Sequence, residues 1–333
     1  MWSFILRRIG RSVTTLIIVL IATFGMTRLA YQNPAATLLP RNATGRQIAE
    51  LKAALGLNQP WYTQLWHYFF GGSQIEGVET GIFRWPPSFG YSFHEQTAVT
   101  PLVLSKVQAT ASLAIGAVII WMALSLLFGV ISARRPGSWL DRTISGFSYV
   151  GLAVPTFVTG VVLSYVLFFE LGNAGIHIFP DGGYVPITQS PLQWAQHLLL
   201  PWATVAIAEI GVFQRVVRAS MLDVLSADYI RSARAKGVSE RRVYFNHALK
   251  AALNPVITLS GLEFAGILGG AIVAEQIFGI DGVGRLAINS ALNGDFPVVI
   301  ATTVFASVVF ITSTLVVDII THVRDPASST VLL

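Results

Sequence analysis

The chain has 333 residues, of which 53% are hydrophobic and only 12% charged, about half the charged share of an ordinary soluble domain. Its 22 Lys and Arg against 17 Asp and Glu give a formal charge of +5, but the basic residues flank apolar runs and do not gather on a soluble face, which argues for membrane topology and against nucleic-acid binding. With no cysteine present, disulfides, thiolate metal sites and cysteine nucleophiles are excluded.

The first stretch, MWSFILRRIGRSV followed by TTLIIVLIATFGM, has the basic flank and apolar run of a secretory signal. The convenient cleavage point after Ala30 would put Arg28 where a small residue is wanted, so the stretch is read as an uncleaved first span. Runs that reach the roughly 20 residues needed to cross a bilayer fall at Ile9 to Leu29, Thr110 to Ala133, Ile144 to Phe169, His197 to Val217, Val256 to Phe278 and Val298 to Ile320. Six spans put both termini on one side, and the positive-inside rule selects that side. Arg7, Arg8 and Arg11 precede the first span and Arg134, Arg135 and Arg142 join the second to the third. Arg215, Arg218, Arg231, Arg234, Lys236, Arg241, Arg242 and Lys250 join the fourth to the fifth, and Arg324 follows the sixth. Both ends are therefore expected in the cytoplasm.

Residues 1–30 form the first span and 31–105 an extracytoplasmic loop region. Residues 106–326 form a core of five further spans, and 327–333 a cytoplasmic tail. In the loop region Thr44 and Gln47 make a capping box for a short helix with Ile48, Leu51 and Leu55 on one face and Gly56 as its stop. Pro60 opens a second helix carrying Trp61, Tyr62, Leu65, Trp66 and Phe69, closed by Gly71 and Gly72. These helices either cover the outer mouth of the bundle or belong to a docking surface for a delivery protein. The turn-rich, aromatic segment Arg84 to Phe93 suits a membrane interface.

Acids within spans are costly, about 2.5 to 3.5 kcal/mol each on insertion scales. Glu209, Glu263 and Glu275 are three such acids. They either line a polar path or hydrogen-bond to Ser, Thr or Gln of neighbouring helices, and Glu209, near the middle of its span, is the foremost path candidate. Gly261, Gly266, Gly269 and Gly270 give the fifth span a small-residue face.

The stretch Ser220 to Leu253, SMLDVLSADYIRSARAKGVSERRVYFNHALKAAL, is polar and densely basic between two apolar runs. Its pattern predicts that the fourth span continues toward Tyr229, followed by a turn at Gly237, a helix capped by Ser239, and Pro255 opening the fifth span. Ser232, Ala233, Ala235 and Gly237 are small enough for a partner's backbone to approach, and the surrounding Arg and Lys can pair with its acids. A basic hairpin lying on anionic lipid is the alternative reading of these residues.

None of the four lysines follows a glycine, so the sequence has no phosphate loop. The six histidines are too scattered for a local zinc motif, and neither HExxH nor GxSxG occurs.

The pattern RSARAKGVSERRVYFNHALKAALNPVI resembles the coupling-loop motif of permease subunits of bacterial ATP-binding-cassette importers of the dipeptide and oligopeptide type. The Glu-Ala-Ala-like triplet falls on Arg231, Ser232 and Ala233, the motif glycine on Gly237 and the later apolar sites on His247 and Leu249. Arg231 replaces the usual Glu, and Lys250 stands where the general motif has Pro. The openings LRRIGRSV and NATGRQIAELKAALGLNQPWYTQ, with VPTF, HLLLP and EQIFGIDGVGRL, extend the likeness over nearly the whole chain. One departure is Ile280, Asp281 and Gly282, where the family usually reads Pro-Gly after an aromatic.

The resemblance implies an all-α, six-span fold of the type I importer class. It also implies a second homologous permease subunit, two cytoplasmic ATPases that bind ATP and Mg, an external substrate-binding protein, and a peptide cargo. No cofactor, metal or enzyme activity is expected in this chain itself. Residues Arg231, Ser232, Ala233, Arg234, Ala235, Lys236 and Gly237 would couple it to the ATPases. Nickel complexes, glutathione and haem are alternative cargoes within the family. An ATPase-independent secondary transporter or channel would show inverted repeats, and none is evident.

Overall fold

The apolar runs fold as long helices. The structure, a computed structural model, describes residues 2–30, 43–54, 56–72 and 74–324. Among them five helical stretches are long and apolar enough to cross a membrane: Leu6–Leu29, Val99–Arg134, Thr156–Asn173, Pro191–Leu225 and Phe296–Thr321. The chain divides into two compact units, one of Met1–Ala109 with Asp281–Ile311 and one of Thr110–Ile280 continuing from Thr312.

The first unit opens with α1 (Trp2–Ala30), α2 (Gly45–Ala54) and α3 (Trp61–Phe70). The expected capping box is present. The Thr44 amide donates to Gln47 Oε1 at 2.8 Å and the Gln47 amide to Thr44 Oγ1 at 3.4 Å. Gly56, at φ +66°, follows the helix as its stop. Leu55 of the expected helix face lies outside the described residues.

In the next segment the expected turns fall at residues 82–87, with short strands around them. The strands form short antiparallel pairs, β1 (Gln74–Ile75) with β2 (Val78–Gly81), β2 with β3 (Ser88–Phe89), and β4 (Tyr91–Ser92) with β5 (Thr97–Ala98). Gly77, at positive φ, allows the tight reversal between β1 and β2. The strands are too short to show the two-residue alternation that reveals strands in a sequence.

In the same unit α10 (Val283–Asn293) ends at Gly294, whose φ of +72° turns the chain into α11 (Phe296–Arg324). Two apolar clusters hold the unit together. Leu20 and Phe24 of α1 pack with Tyr68 of α3 and with Ile300 and Val304 of α11. Val99 and Val103 at the start of α4 (Val99–Arg134) pack with Val283, Leu286, Val298 and Ala301.

The second unit is built around α7 (Pro191–Leu225), whose Leu198, Trp202, Val205, Ala206, Phe213, Val217 and Met221 are buried. Surrounded by lipid tails as apolar as leucine, helices associate through close packing and polar contacts and gain little from burial itself. Glycines supply that closeness here. The Trp202 indole lies against Gly116 of α4 and donates from Nε1 to the Ser112 carbonyl at 3.0 Å. A Cβ on Gly129 would meet Val217 at 2.5 Å.

Helix α5 (Trp139–Ala153) crosses α7 with equal economy. A Cβ on Gly151 would lie 2.8 Å from the Ile207 carbonyl oxygen, and one on Gly211 2.5 Å from that of Ser148. The expected third span, Ile144 to Phe169, is interrupted. It ends as α5 at Ala153, breaks at Val154 and Pro155, and resumes as α6 (Thr156–Leu163) and a wider π-helical stretch, Ser164–Glu170. Pro155 has no amide hydrogen and disfavours helical geometry in the residue before it, so the break falls there.

The expected fifth span lies in α9 (Leu249–Ile277), where Gly261 packs against Val317 of α11. The side-chain surroundings of Gly266, Gly269 and Gly270 lie outside the described residues.

Substitution tests the crossing. Gly211→Leu must push the backbones of α5 and α7 apart, at a cost of about 1–3 kcal/mol or more, and lowers the thermal midpoint of the detergent-solubilised protein. Gly146→Ala on the same α5, where no atom lies within 4 Å of the added carbon, leaves the midpoint at or above that of the unmodified chain.

Candidate functional site

The basic stretch begins where α7 stops. The expected continuation toward Tyr229 is cut at Ser226, whose Oγ donates back to the Asp223 carbonyl at 2.7 Å, and at Ala227, whose backbone is extended. A separate helix, α8 (Asp228–Ala235), follows. Ile230 is fully buried and anchors it, while Arg231, Ser232, Arg234 and Ala235 are exposed and Ala233 is half-buried.

The expected glycine turn comes next. Gly237 sits at φ +77°, donates to the Arg234 carbonyl at 2.9 Å, and is followed by a Val238 amide bonded to the Ala233 carbonyl at 3.2 Å. No atom lies within 4 Å of where a Gly237 Cβ would be. Lys236 and Gly237 are both exposed. The seven residues Arg231 to Gly237 thus form one continuous surface.

Arg234 straps the turn by donating to Glu240 from Nε at 2.9 Å and from Nη2 at 3.3 Å. Both partners are more than a third exposed, so the strap is worth at most a fraction of a kcal/mol, on the order of 0.5. Arg231 and Asp228, 3.4 Å apart and largely exposed, contribute less to stability than to surface charge.

Two details differ from expectation. Ser239 stands at the head of the next helical turn, Glu240–Arg242, but its side chain makes no capping bond. Pro255 lies inside α9 and does not open it, because the helix starts at Leu249, after a π-helical stretch from Val243 to Ala248. Buried Val243, Ala248, Ala252 and Val256 fasten this return limb.

The three span acids have different surroundings. Glu275 is fully buried and accepts from Thr110 Oγ1 at 2.6 Å, a bond between neighbouring helices. Glu209 of α7 and Glu263 of α9 are half-buried and close enough for their charges to interact. Glu209 Oε2 is buried and has no hydrogen-bond partner among the described residues.

A fourth acid lies outside the apolar runs, where a pattern of mid-span charges does not reach it. Asp141, in the first turn of α5, is buried and meets Arg218 of α7 in a two-pronged pair. Nε donates to Oδ1 at 2.6 Å and Nη2 to Oδ2 at 2.7 Å. Its local signal was legible, since Ser138 and Asp141 form a Ser-x-x-Asp capping pattern in which Ser138 Oγ accepts from the Asp141 amide at 3.3 Å. Its partner, 77 residues away, was not.

These features define a multi-helix membrane protein with an exposed basic loop between two of its longest helices. The family model of binding-protein-dependent transport system inner membrane components matches residues 125–329, and the N-terminal model of the same systems matches residues 1–114. The chain belongs to this family and is a multi-pass permease of a binding-protein-dependent ATP-binding-cassette importer.

It is 35% identical over 329 residues to an oligopeptide transport system permease protein of Bacillus subtilis, covering 98% of this chain and 99% of the relative. It is 33% identical over 327 residues, with the same coverage, to a glutathione transport system permease protein of Escherichia coli. A crystal structure of an amino acid ABC transporter shares the fold, with a TM-score of 0.50 at 18% identity over 67% of this chain and 94% of that one.

The Arg218 guanidinium, by hydrogen bonding, holds the Asp141 carboxyl below the usual carboxylate range, against the opposing effect of burial and with help from the Gly137 amide. A depressed folded-state value means that the stabilisation is complete above about pH 4 and is lost as the pH falls through the folded-state value. Asp141→Asn therefore lowers stability by about 2 kcal/mol at pH 5 to 8. Thermal unfolding across pH shows the gap between variant and unmodified chain closing only below about pH 4.

Proposed function

We propose that the chain is the translocation subunit of a peptide importer and is driven through its exposed stretch Arg231 to Gly237. In this reading six spans place both termini in the cytoplasm, with α9 supplying the span that completes the set. Two cytoplasmic ATPases, carrying ATP and Mg, grip α8. A second homologous permease completes the path, and an external binding protein delivers cargo to the side carrying residues 31–105.

The observation that carries the reading is the surface at Gly237. A left-handed glycine with open space around it follows a helix held by one buried isoleucine and edged by arginines, on the side of the membrane where the positive charge accumulates. The peptide cargo is supported by the likeness to the oligopeptide permease. Likeness to a glutathione permease points the same way, since glutathione is itself a short peptide.

Transport requires that ATP binding favour one of two access states through differential contact with them. Contact at α8 supplies that difference, and α7, two residues before it, carries the displacement into the membrane. Glu209 and Glu263 offer carboxyl groups that suit a peptide's amino group.

Gly237→Trp fills the open space and forces a bulky residue into left-handed backbone, at a cost of about 1–2 kcal/mol. The variant inserts normally but abolishes ATP-dependent peptide uptake in vesicles reconstituted with its ATPases; full uptake rejects the coupling role. Glu209→Ala lowers uptake by about tenfold, the equivalent of one charge-assisted interaction, with ATPase assembly intact, whereas unchanged uptake kinetics assign Glu209 to structure.

A further inference from the structure

The coupling surface must act on the membrane helices through some rigid connection, and the second unit contains one. Arg218 lies seven positions before the end of α7 at Leu225. Its fork on Asp141 reaches the first turn of α5, and the same carboxylate holds the connection from α4. Asp141 Oδ2 also accepts from the Gly137 amide at 2.8 Å, while Oδ1 accepts from Ser145 Oγ at 3.4 Å. Gly137, at φ +76°, is the turn between Arg134, where α4 ends, and Trp139, where α5 begins.

One buried carboxylate therefore ties three pieces of chain at a single point. Further along the pair, α5 and α7 touch backbone to backbone at Gly151 and Gly211. Arg215 adds a third contact, donating to the Gly211 carbonyl at 2.8 Å with its guanidinium 5.3 Å from the centre of the Tyr149 ring. Two separated contacts, the fork and the glycine crossing, prevent α5 from pivoting about α7. The first interruption beyond them is Val154 and Pro155.

We infer that Asp141 and Arg218 are positioning residues for the transport stroke. Their fork makes the α4–α5 turn, α5 and α7 move as one body when α8 is displaced, and the break at Val154 and Pro155 takes up the motion. The inference rests on the coupling role proposed for Arg231 to Gly237. It adds a residue pair outside Arg231 to Gly237 that governs how much transport each ATP yields.

A pair that serves stability alone and one that transmits motion respond differently to Arg218→Lys. Lysine keeps the charge opposite Asp141 but cannot reproduce the planar fork. In proteoliposomes holding the assembled importer, we expect the number of ATP hydrolysed per peptide taken up to rise by about tenfold, the loss of one charge-assisted hydrogen bond, with basal hydrolysis retained. An unchanged ratio, or a parallel fall in uptake and hydrolysis that tracks the amount of assembled complex, overturns the inference.

Should the variant not assemble, hydrogen exchange in the unmodified importer decides, with nucleotide-free and vanadate-trapped states compared. The Gly137 amide should exchange slowly in both states. The Val158 and Thr159 amides, which donate to the Pro155 carbonyl at 2.9 and 3.1 Å, should differ between them. Faster exchange at Gly137 in one state, or no change at Val158 and Thr159, overturns it. A chain that never co-purifies with an ATPase rejects the coupling role itself, and this is seen at purification before either measurement.

Discussion

The close approach of α7 to its neighbours is the constraint on which the second unit depends. A helix among lipid tails gains little by exchanging tail contacts for leucine contacts, so its position must be fixed by shape and by polar bonds. Gly116, Gly129, Gly151 and Gly211 provide the shape, each occupying a place where even a methyl group would collide. The Trp202 indole and the Gln214 amide, which donates to Ser132 at 3.2 Å, provide polar bonds. The fork between Arg218 and Asp141 adds a condition that packing alone would not. The buried Asp141 carboxylate is tolerable only while the half-buried Arg218 guanidinium meets it in register, so a slip of α5 along α7 is penalised by leaving a buried charge unpaired.

The first unit meets a different problem, because its short helices and hairpins cannot each bury a core. It fastens them to the ends of long helices. Asp295, fully buried immediately before α11, accepts from Ser92 Oγ at 2.5 Å and from the His94 amide at 3.3 Å, which ties the β4–β5 hairpin to the head of that helix. Burial pushes the Asp295 carboxyl upward in pKa and the bonds from Ser92 and His94 oppose it. Lys106 of α4 pairs with Asp281 just before α10. Asp281 thereby serves as a structural partner.

The long helices were legible in the sequence because each depends on local composition. A run of apolar residues, a Thr44 and Gln47 box, or a glycine after a helix declares itself within a few positions. The hairpins at 74–98 were not legible, since two-residue strands have no periodicity to read. The break at Pro155 was visible as a proline but was overridden by the apolar run on both sides. Serine misled at position 239, where its type suggested a cap and its side chain makes no such bond. The stop of α7 at Ser226 reversed the same rule, with a serine ending a helix by bonding backward. The exposed stretch Arg231 to Gly237 could be picked out in the sequence because it is contiguous. The pairing of Asp141 with Arg218 could not, since neither residue's neighbours point to the other.

The proposed docking of the exposed face of α8 onto an ATPase is directly accessible to cross-linking, because the chain contains no cysteine. With single cysteines introduced at Ser232, which is exposed, and at Ile230, which is buried, the assembled importer would be treated with a short bifunctional thiol reagent against cysteines placed in the ATPase. If α8 docks there, position 232 cross-links and position 230 does not, and thiol labelling at 232 is slowed by the presence of the ATPase. Labelling at 232 at the same rate with and without the ATPase, and no cross-link, would contradict the docking.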